Sequence, residues 1–402
     1  MRPSRKLAFW IVAGTLTLFL FGASAPSPLY VVYQQRFGFS ATTLTAIFAV
    51  YALALLVSLI PAGDISDQIG RRPVILAALT LQAASAILFL LAGGVGALFG
   101  ARIVQGVATG VATGALSAAL IDLQPPGSGL GALTASVAPP VGLALGAVGS
   151  GAIVQLGTAP LRLVYWCQLA ALGVAALLIV VEVPETVRVR PDARVRLRLR
   201  VEIPAPAQRA FRALTPGLVA TWALAGLYLS LGPSLVVVLL GLRSHIVGGL
   251  VPATLCATTA LASILSRTWS ARRAVVFGTL VLAGGVLVTF AGIRAGSATL
   301  LFAGSAIAGV GFGPAFAGSF RTLAPLAEPT ARAGLLAAVY VVSYLAFSVP
   351  AVIAGLAVTR WGLRDSASGY SLAVVVLALA AALLTMRQPS ASPSPEATRA
   401  QA

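Results

Sequence analysis

Charge is scarce in this chain: charged residues fill 9% of 402 positions, against about 25% in a typical soluble domain. Hydrophobic residues make up 58%, and the mean hydropathy is +0.97. So little polar surface cannot cover a water-facing globule, which makes lipid the solvent for most of the chain. Lysine occurs once, at Lys6, and histidine once, at His245. The spacing places His245 in a solvated loop. Two cysteines, Cys167 and Cys256, sit in separate apolar stretches. They offer neither a disulfide framework nor a metal spacing, and are expected to be small buried apolar residues. No nucleophile beside a base, metal cluster or phosphate loop is present. The sequence therefore predicts no enzyme, no catalytic residue, no metal and no cofactor.

What charge there is has mostly one sign, with a net of +17. On a soluble domain that would suggest nucleic acid. Here the arginines fall in loops between apolar stretches, where they set topology and meet anionic lipid, so no nucleic-acid partner is expected. The near-replacement of lysine by arginine is the composition expected of a high-GC, bacterial genome.

A hydrocarbon layer about 30 Å thick needs about 20 apolar residues of helix. Twelve stretches qualify: 7–33, 41–62, 73–92, 95–121, 129–156 and 161–181, then 214–241, 247–265, 274–293, 299–320, 331–358 and 366–386. Backbone groups cannot go unpaired in lipid, so these are helices rather than isolated strands. Ala23-Ser24-Ala25 imitates a signal-peptidase site, but the apolar run continues past it, and the segment reads as an uncleaved first span. With the N-terminus inside, twenty basic residues fall on the inner side and seven elsewhere, which satisfies the positive-inside rule. Both termini are then cytoplasmic, in a multi-pass cell-membrane protein. The domains expected are a six-helix bundle over 1–186, a basic cytoplasmic linker over 187–213, a second bundle over 214–386 and a disordered tail over 387–402. Within the linker, residues 194–200 alternate arginine with apolar residues, as suits a solvated run near anionic headgroups.

The strongest local signal is the charged knot at 63–73, Gly-Asp-Ile-Ser-Asp-Gln-Ile-Gly-Arg-Arg-Pro. Its spacing predicts a tight inner turn in which Asp67 faces a helix N-terminus and Arg71 and Arg72 anchor the inner surface. A displacement of 201 residues lays Arg71-Arg72-Pro73-Val74 onto Arg272-Arg273-Ala274-Val275, between the second and third spans of each half. The second copy lacks the carboxylates and glycines. Duplication with nested inverted repeats is the expected architecture.

Gly63, Asp67, Gly70, Arg71 and Arg72 resemble the signature loop of the major facilitator superfamily (MFS), and the twelve-span drug–proton antiporter branch most of all. The resemblance covers nearly the whole chain and implies an all-α polytopic membrane protein with the MFS fold. It extends to Arg102, Gln105 and Gly106 in the fourth span, where the family's arginine is implicated in proton coupling, and to Val183-Pro184-Glu185-Thr186 closing the sixth. An arginine inside a span must face the bundle interior or snorkel to the interface. In the fifth span, Pro139, Pro140, Gly142 and Gly146 resemble the antiporter segment, although Ala and Leu replace two expected glycines. Small residues at helical spacing also permit close helix packing. The same holds for Gly309, Gly311, Gly313 and Pro314 in the tenth span.

The fold the resemblance implies lines its cavity with spans one, four, seven and ten. Cavity candidates are therefore Ser24, Ser27 and Tyr30, with Trp222 and Tyr228 from the seventh span. No Asp or Glu lies in the middle of a span: Asp122 and Glu182 are at inner ends and Asp365 at an outer end. Coupling must then run through Arg102 and border acids, use another ion, or be absent. The function implied is alternating-access export of small amphipathic molecules by proton antiport, by a monomer. The alternatives are uptake of a sugar or organic acid, or a non-transporting receptor or channel on the same bundle. In the exporter reading, Asp67 meets the N-terminal end of the eleventh span near Thr330.

Overall fold

The computed structural model describes residues 4–157, 159–187, 201–239, 241 and 244–387. The regular structure among them is helical. In chain order the helices are α1 (Arg5–Ser24), α2 (Pro26–Phe37), α3 (Ala41–Ile69), α4 (Arg71–Leu90), α5 (Val95–Leu123), α6 (Leu130–Leu156) and α7 (Pro160–Glu182). The second half follows as α8 (Ala205–Ser234), α9 (His245–Leu265), α10 (Ala271–Ala295), α11 (Ala298–Leu323) and α12 (Pro329–Met386).

Eleven described helices are long and apolar enough to cross a membrane, with α1 and α2 counted as one. The last is too long for a single crossing: α12 has 58 residues, about 87 Å of helix against about 30 Å of hydrocarbon. It turns at Gly362, whose φ of 78° and ψ of 166° leave the helical region, a conformation a glycine adopts without strain. The result is twelve crossings, six in each half. Trp10 at one end, and Trp166 and Trp361 at the other, are largely exposed, as befits aromatic belts at the two water interfaces.

Three sequence expectations are corrected. The second half begins with α8 at Ala205, inside the segment expected to be linker, because Pro206 is well placed in a first helical turn. The basic run 194–200 and the tail beyond 387 lie outside the described residues. His245 is the first residue of α9 rather than a loop residue, since Ser244 accepts a hydrogen bond from Val247 N and caps the helix. Cys256 is buried, but Cys167 is exposed on the outer surface, where lipid accepts a thiol as readily as a core does.

The arginine-rich end carries the α3–α4 and α9–α10 turns. The halves meet tightly at the opposite end. There Thr42 donates to Gly355 O at 3.1 Å, and Phe48 and Phe347 pack with ring centroids 4.7 Å apart. Gln155 on α6 accepts from Ser244 Oγ at 2.7 Å and from Ile246 N at 3.2 Å, so one half caps a helix of the other. Ser27 donates to Leu229 O across the same seam. Gly249 lies against the Ala147 carbonyl so closely that an added Cβ would overlap it. The molecule is sealed at this end.

Candidate substrate site

The first span breaks where α1 gives way to α2, at Ala25 and Pro26. Pro26 and Pro28 have no N–H, so the carbonyls four residues earlier, at Gly22 and Ser24, lose their helical donors. Two α5 side chains approach this break. Gln105 Nε2 donates to Gly22 O at 2.9 Å, and Arg102 Nη1 donates to Ala23 O at 2.9 Å and to Gln105 Oε1 at 2.6 Å. Arg102 Nε donates to Tyr30 OH at 2.6 Å. The guanidinium carbon lies 5.4 Å from the Tyr30 ring centroid and 4.8 Å from that of Tyr51. Arg102 is therefore a splint for a proline break, wrapped in two aromatic faces.

The placement settles one sequence alternative: Arg102 is 0% exposed and does not snorkel. Burying a lone cation costs several kcal/mol, and here one carbonyl, an amide oxygen, a phenol hydroxyl and two ring faces offset that cost. No carboxylate is among its contacts, and Nη2 has no hydrogen-bond partner among the described residues. Gly106 lets α5 approach α3, since an added Cβ would meet Tyr51 O. Behind Gly22 lie the amides of Gln82 and Gln168, both buried and without hydrogen-bond partners among the described residues.

Of the first-span candidates, Ser24 donates to Leu143 O on α6 at 2.7 Å, and Ser27 belongs to the seam. Gly142 and Gly146 pack α6 against the α1 backbone at Thr17 and Phe21. Pro139 and Pro140 are accommodated within the same helix. Tyr228 is buried in the second half, its hydroxyl 2.9 Å from Thr289 Oγ1 and 3.1 Å from Ser305 Oγ. Gly309, Gly311 and Gly313 press α11 onto α9 and α10, so close packing accounts for them.

Trp222 alone of the candidates sits among a set of unsaturated surfaces. Its ring is 5.4 Å from Phe316, 6.4 Å from Phe312, 5.1 Å from Tyr344 and 5.8 Å from Phe347. Phe320 and Tyr340 extend the array. The Trp222 indole N–H has no acceptor among the described residues. Sequence reading missed the rest of this box. The signal was there: Phe312, Phe316 and Phe320 recur every fourth residue on one helix face, as do Tyr340 and Tyr344. Phe347 of the box also touches Phe48 of the other half, so the box adjoins the seam.

At the arginine-rich end the 63–73 knot is shorter than expected. α3 runs on through Ile69, placing Gly63 and Asp64 inside the helix, and the chain turns at Gly70 alone, with φ 110°. An added Cβ there would also meet Glu185. Glu185, not Asp67, occupies the N-terminus of α4: its carboxylate accepts Arg71 N at 2.9 Å and Arg72 N at 3.0 Å. Asp67 pairs with Arg71 in its own turn, and Arg71 Nε reaches Asp122 at 3.2 Å. Arg72 donates to Val180 O. The knot thus binds α3, α4, α5 and α7 together within the first half.

Two six-crossing halves sealed at one end, with a buried cation in one and an aromatic box in the other, define a membrane carrier rather than an enzyme. The sequence profile of the Major Facilitator Superfamily matches residues 12–266, and the chain belongs to that family. No curated protein sequence matches it. Among solved structures, a bacterial homolog of the human lysosomal transporter Spinster, inward-facing and unoccupied, superposes with a TM-score of 0.77 at 16% identity, covering 98% of this chain and 100% of that one. The occupied form of that protein gives 0.74 at 16% identity, with the same coverage. The human organic anion transporter MFSD10 gives 0.66 at 17% identity, covering 94% of this chain and 100% of that one. At such identities the likeness establishes the fold.

Proposed function

We propose that this chain is a secondary active carrier that exports small amphipathic molecules from the cytoplasm by alternating access. The observation that carries the reading is the aromatic box around Trp222. Flat rings from α8, α11 and α12 offer an apolar surface with one unpaired donor, suited to a ring-bearing cargo with a single acceptor. Arg102 lies behind the Tyr51 face in the other half and gives the interior a positive potential uncompensated by any acid among its contacts. That field disfavours cationic cargo and favours neutral molecules or weak acids.

Closure at the end opposite the arginines fits a state open to the cytoplasm, with both termini there and the arginines at the inner leaflet of a bacterial cell membrane. Protons are the driving ion in this reading. With Asp122 and Glu182 at helix ends, the proton would be exchanged at border acids or carried by the cargo itself. In the opposite state, the Asp67 carboxylate would leave Arg71 and meet the positive N-terminal end of the eleventh span. Arg102 also suits uptake of an organic acid, the second reading.

An efflux screen over neutral, acidic and cationic aromatic compounds, with and without an uncoupler, tests this function. Trp222→Ala should raise KM for ring-bearing cargo about tenfold or more, as expected from losing about 1.5–3 kcal/mol of buried ring contact, while Trp222→Phe should lose less. Net accumulation in place of efflux, or unchanged KM in Trp222→Ala, refutes the export and box assignments respectively.

A further inference from the structure

The two copies of the inter-span knot differ in how their arginines are neutralised. In the first half, Asp67, Asp122 and Glu185 surround Arg71 and Arg72. Displaced by 201 residues, those three acids fall on Thr268, Leu323 and Met386, none of which carries charge. The arginines are kept while their acids are lost. Arg272 Nη2 donates to Met386 O at 2.7 Å, a carbonyl where the first copy has Glu185. None of the three ion pairs among the described residues involves Arg267 or Arg273, and both are exposed.

The turn holding them is rigid. Arg321 on α11 donates to the carbonyls of Arg267 and Trp269 at 2.8 and 3.0 Å and to that of Ser266 at 3.4 Å. Ser270 caps α10, whose N-terminus adds positive potential. Arg273 lies over the Trp269 ring at 4.7 Å, and Trp269 packs edge-on against Phe277 at 4.9 Å. Below Arg273, at helical spacing, run Phe277, Leu280 and Leu287, exposed by 38%, 43% and 46%. Gly284 lies between the last two with nothing near an added Cβ, so the stripe carries a notch. The order along α10 is cation, aromatic, apolar, notch, apolar.

We infer that this edge of the second half is a binding site for one anionic phospholipid. Its phosphate sits between Arg267 and Arg273 beside Trp269, and an acyl chain follows Phe277 and Leu280 into the Gly284 notch. Each arginine near a headgroup contributes roughly a fourfold to sixfold preference for an anionic lipid. The continuous apolar stripe beneath the charges selects a lipid over a soluble phosphate. The site is independent of the transported cargo.

The test titrates delipidated full-length protein with phosphatidylglycerol and, separately, phosphatidylcholine, reading lipid-bound species by native mass spectrometry. The wild type should bind its first phosphatidylglycerol roughly 15- to 35-fold more tightly than Arg267→Gln/Arg273→Gln does, with phosphatidylcholine binding equal in both. Arg267→Lys/Arg273→Lys should retain the preference. Gly284→Leu, at an exposed position where an added Cβ meets nothing, should weaken phosphatidylglycerol binding with every charge in place and the thermal unfolding midpoint unchanged. Equal phosphatidylglycerol affinity across the wild type, the glutamine pair and Gly284→Leu overturns the site. Displacement of the lipid by millimolar inorganic phosphate overturns it as well, because the occupant would then be a soluble anion.

Discussion

The seal between the halves depends on backbone approaching backbone at Gly249. A Cβ added there overlaps the carbonyl oxygen of Ala147, far inside the roughly 3.5 Å at which such atoms rest in contact. Neither partner can rotate away, since one is a peptide carbonyl in mid-helix and the other is fixed on α9. The helices must separate, and overpacking of this kind costs about 1–3 kcal/mol. That cost falls only on the state in which α6 and α9 touch, so the balance between open and closed ends moves by a factor of about 5–150. Gly355 supplies a graded comparison. An added Cβ there meets the Thr45 hydroxyl first, a group that can turn, so Gly355→Ala should shift the balance less. Gly173, with nothing within 4 Å of an added Cβ, should tolerate Ala with no shift. The reporter is a single cysteine at Ser27, which is 1% exposed in the seam of the same closed end, in a chain with Cys167 and Cys256 replaced by serine. The labelling rate of purified protein with a water-soluble maleimide reads the open fraction. Gly249→Ala should accelerate labelling severalfold or more over the parent, Gly355→Ala by less, and Gly173→Ala not at all. If Gly249→Ala labels at the parent rate and transports normally, the two ends do not open and close as the packing implies.

Two further outcomes follow from the polar contacts. Gln105→Leu strands the Gly22 carbonyl released by Pro26 and removes an acceptor from Arg102, a loss of about 1–3 kcal/mol; the thermal unfolding midpoint in detergent should fall, and an unchanged midpoint would count against the splint. Asp67→Asn weakens the proposed latch in the oppositely open state, so transport should drop severalfold in cells while surface expression stays level, and full transport by an inserted variant would remove the latch from the mechanism.

Much of the architecture was legible in the chain, because a lipid solvent leaves few options. Apolar stretches of the right length must be helices, and glycine beside paired charge must be a turn between them. The same logic singled out Arg102, since a guanidinium in a span demands partners. It could not name those partners. That Gln105 serves the Gly22 carbonyl released by Pro26 while Arg102 holds the adjacent Ala23 carbonyl, that Glu185 rather than Asp67 sits on the α4 N-terminus, and that Cys167 faces outward all depend on how distant helices are rotated about their axes. Helices that are apolar all round carry almost no amphipathic signal to fix that rotation. The box around Trp222 shows the same limit. Its rings come from three helices, Trp222 on α8 and the others on α11 and α12, and only their packing turns unremarkable phenylalanines and tyrosines into one surface. Composition and run length, properties of single segments, determined the crossings; the pairing of carbonyl with donor and ring with ring, a property of two segments at once, was decided by the tertiary structure.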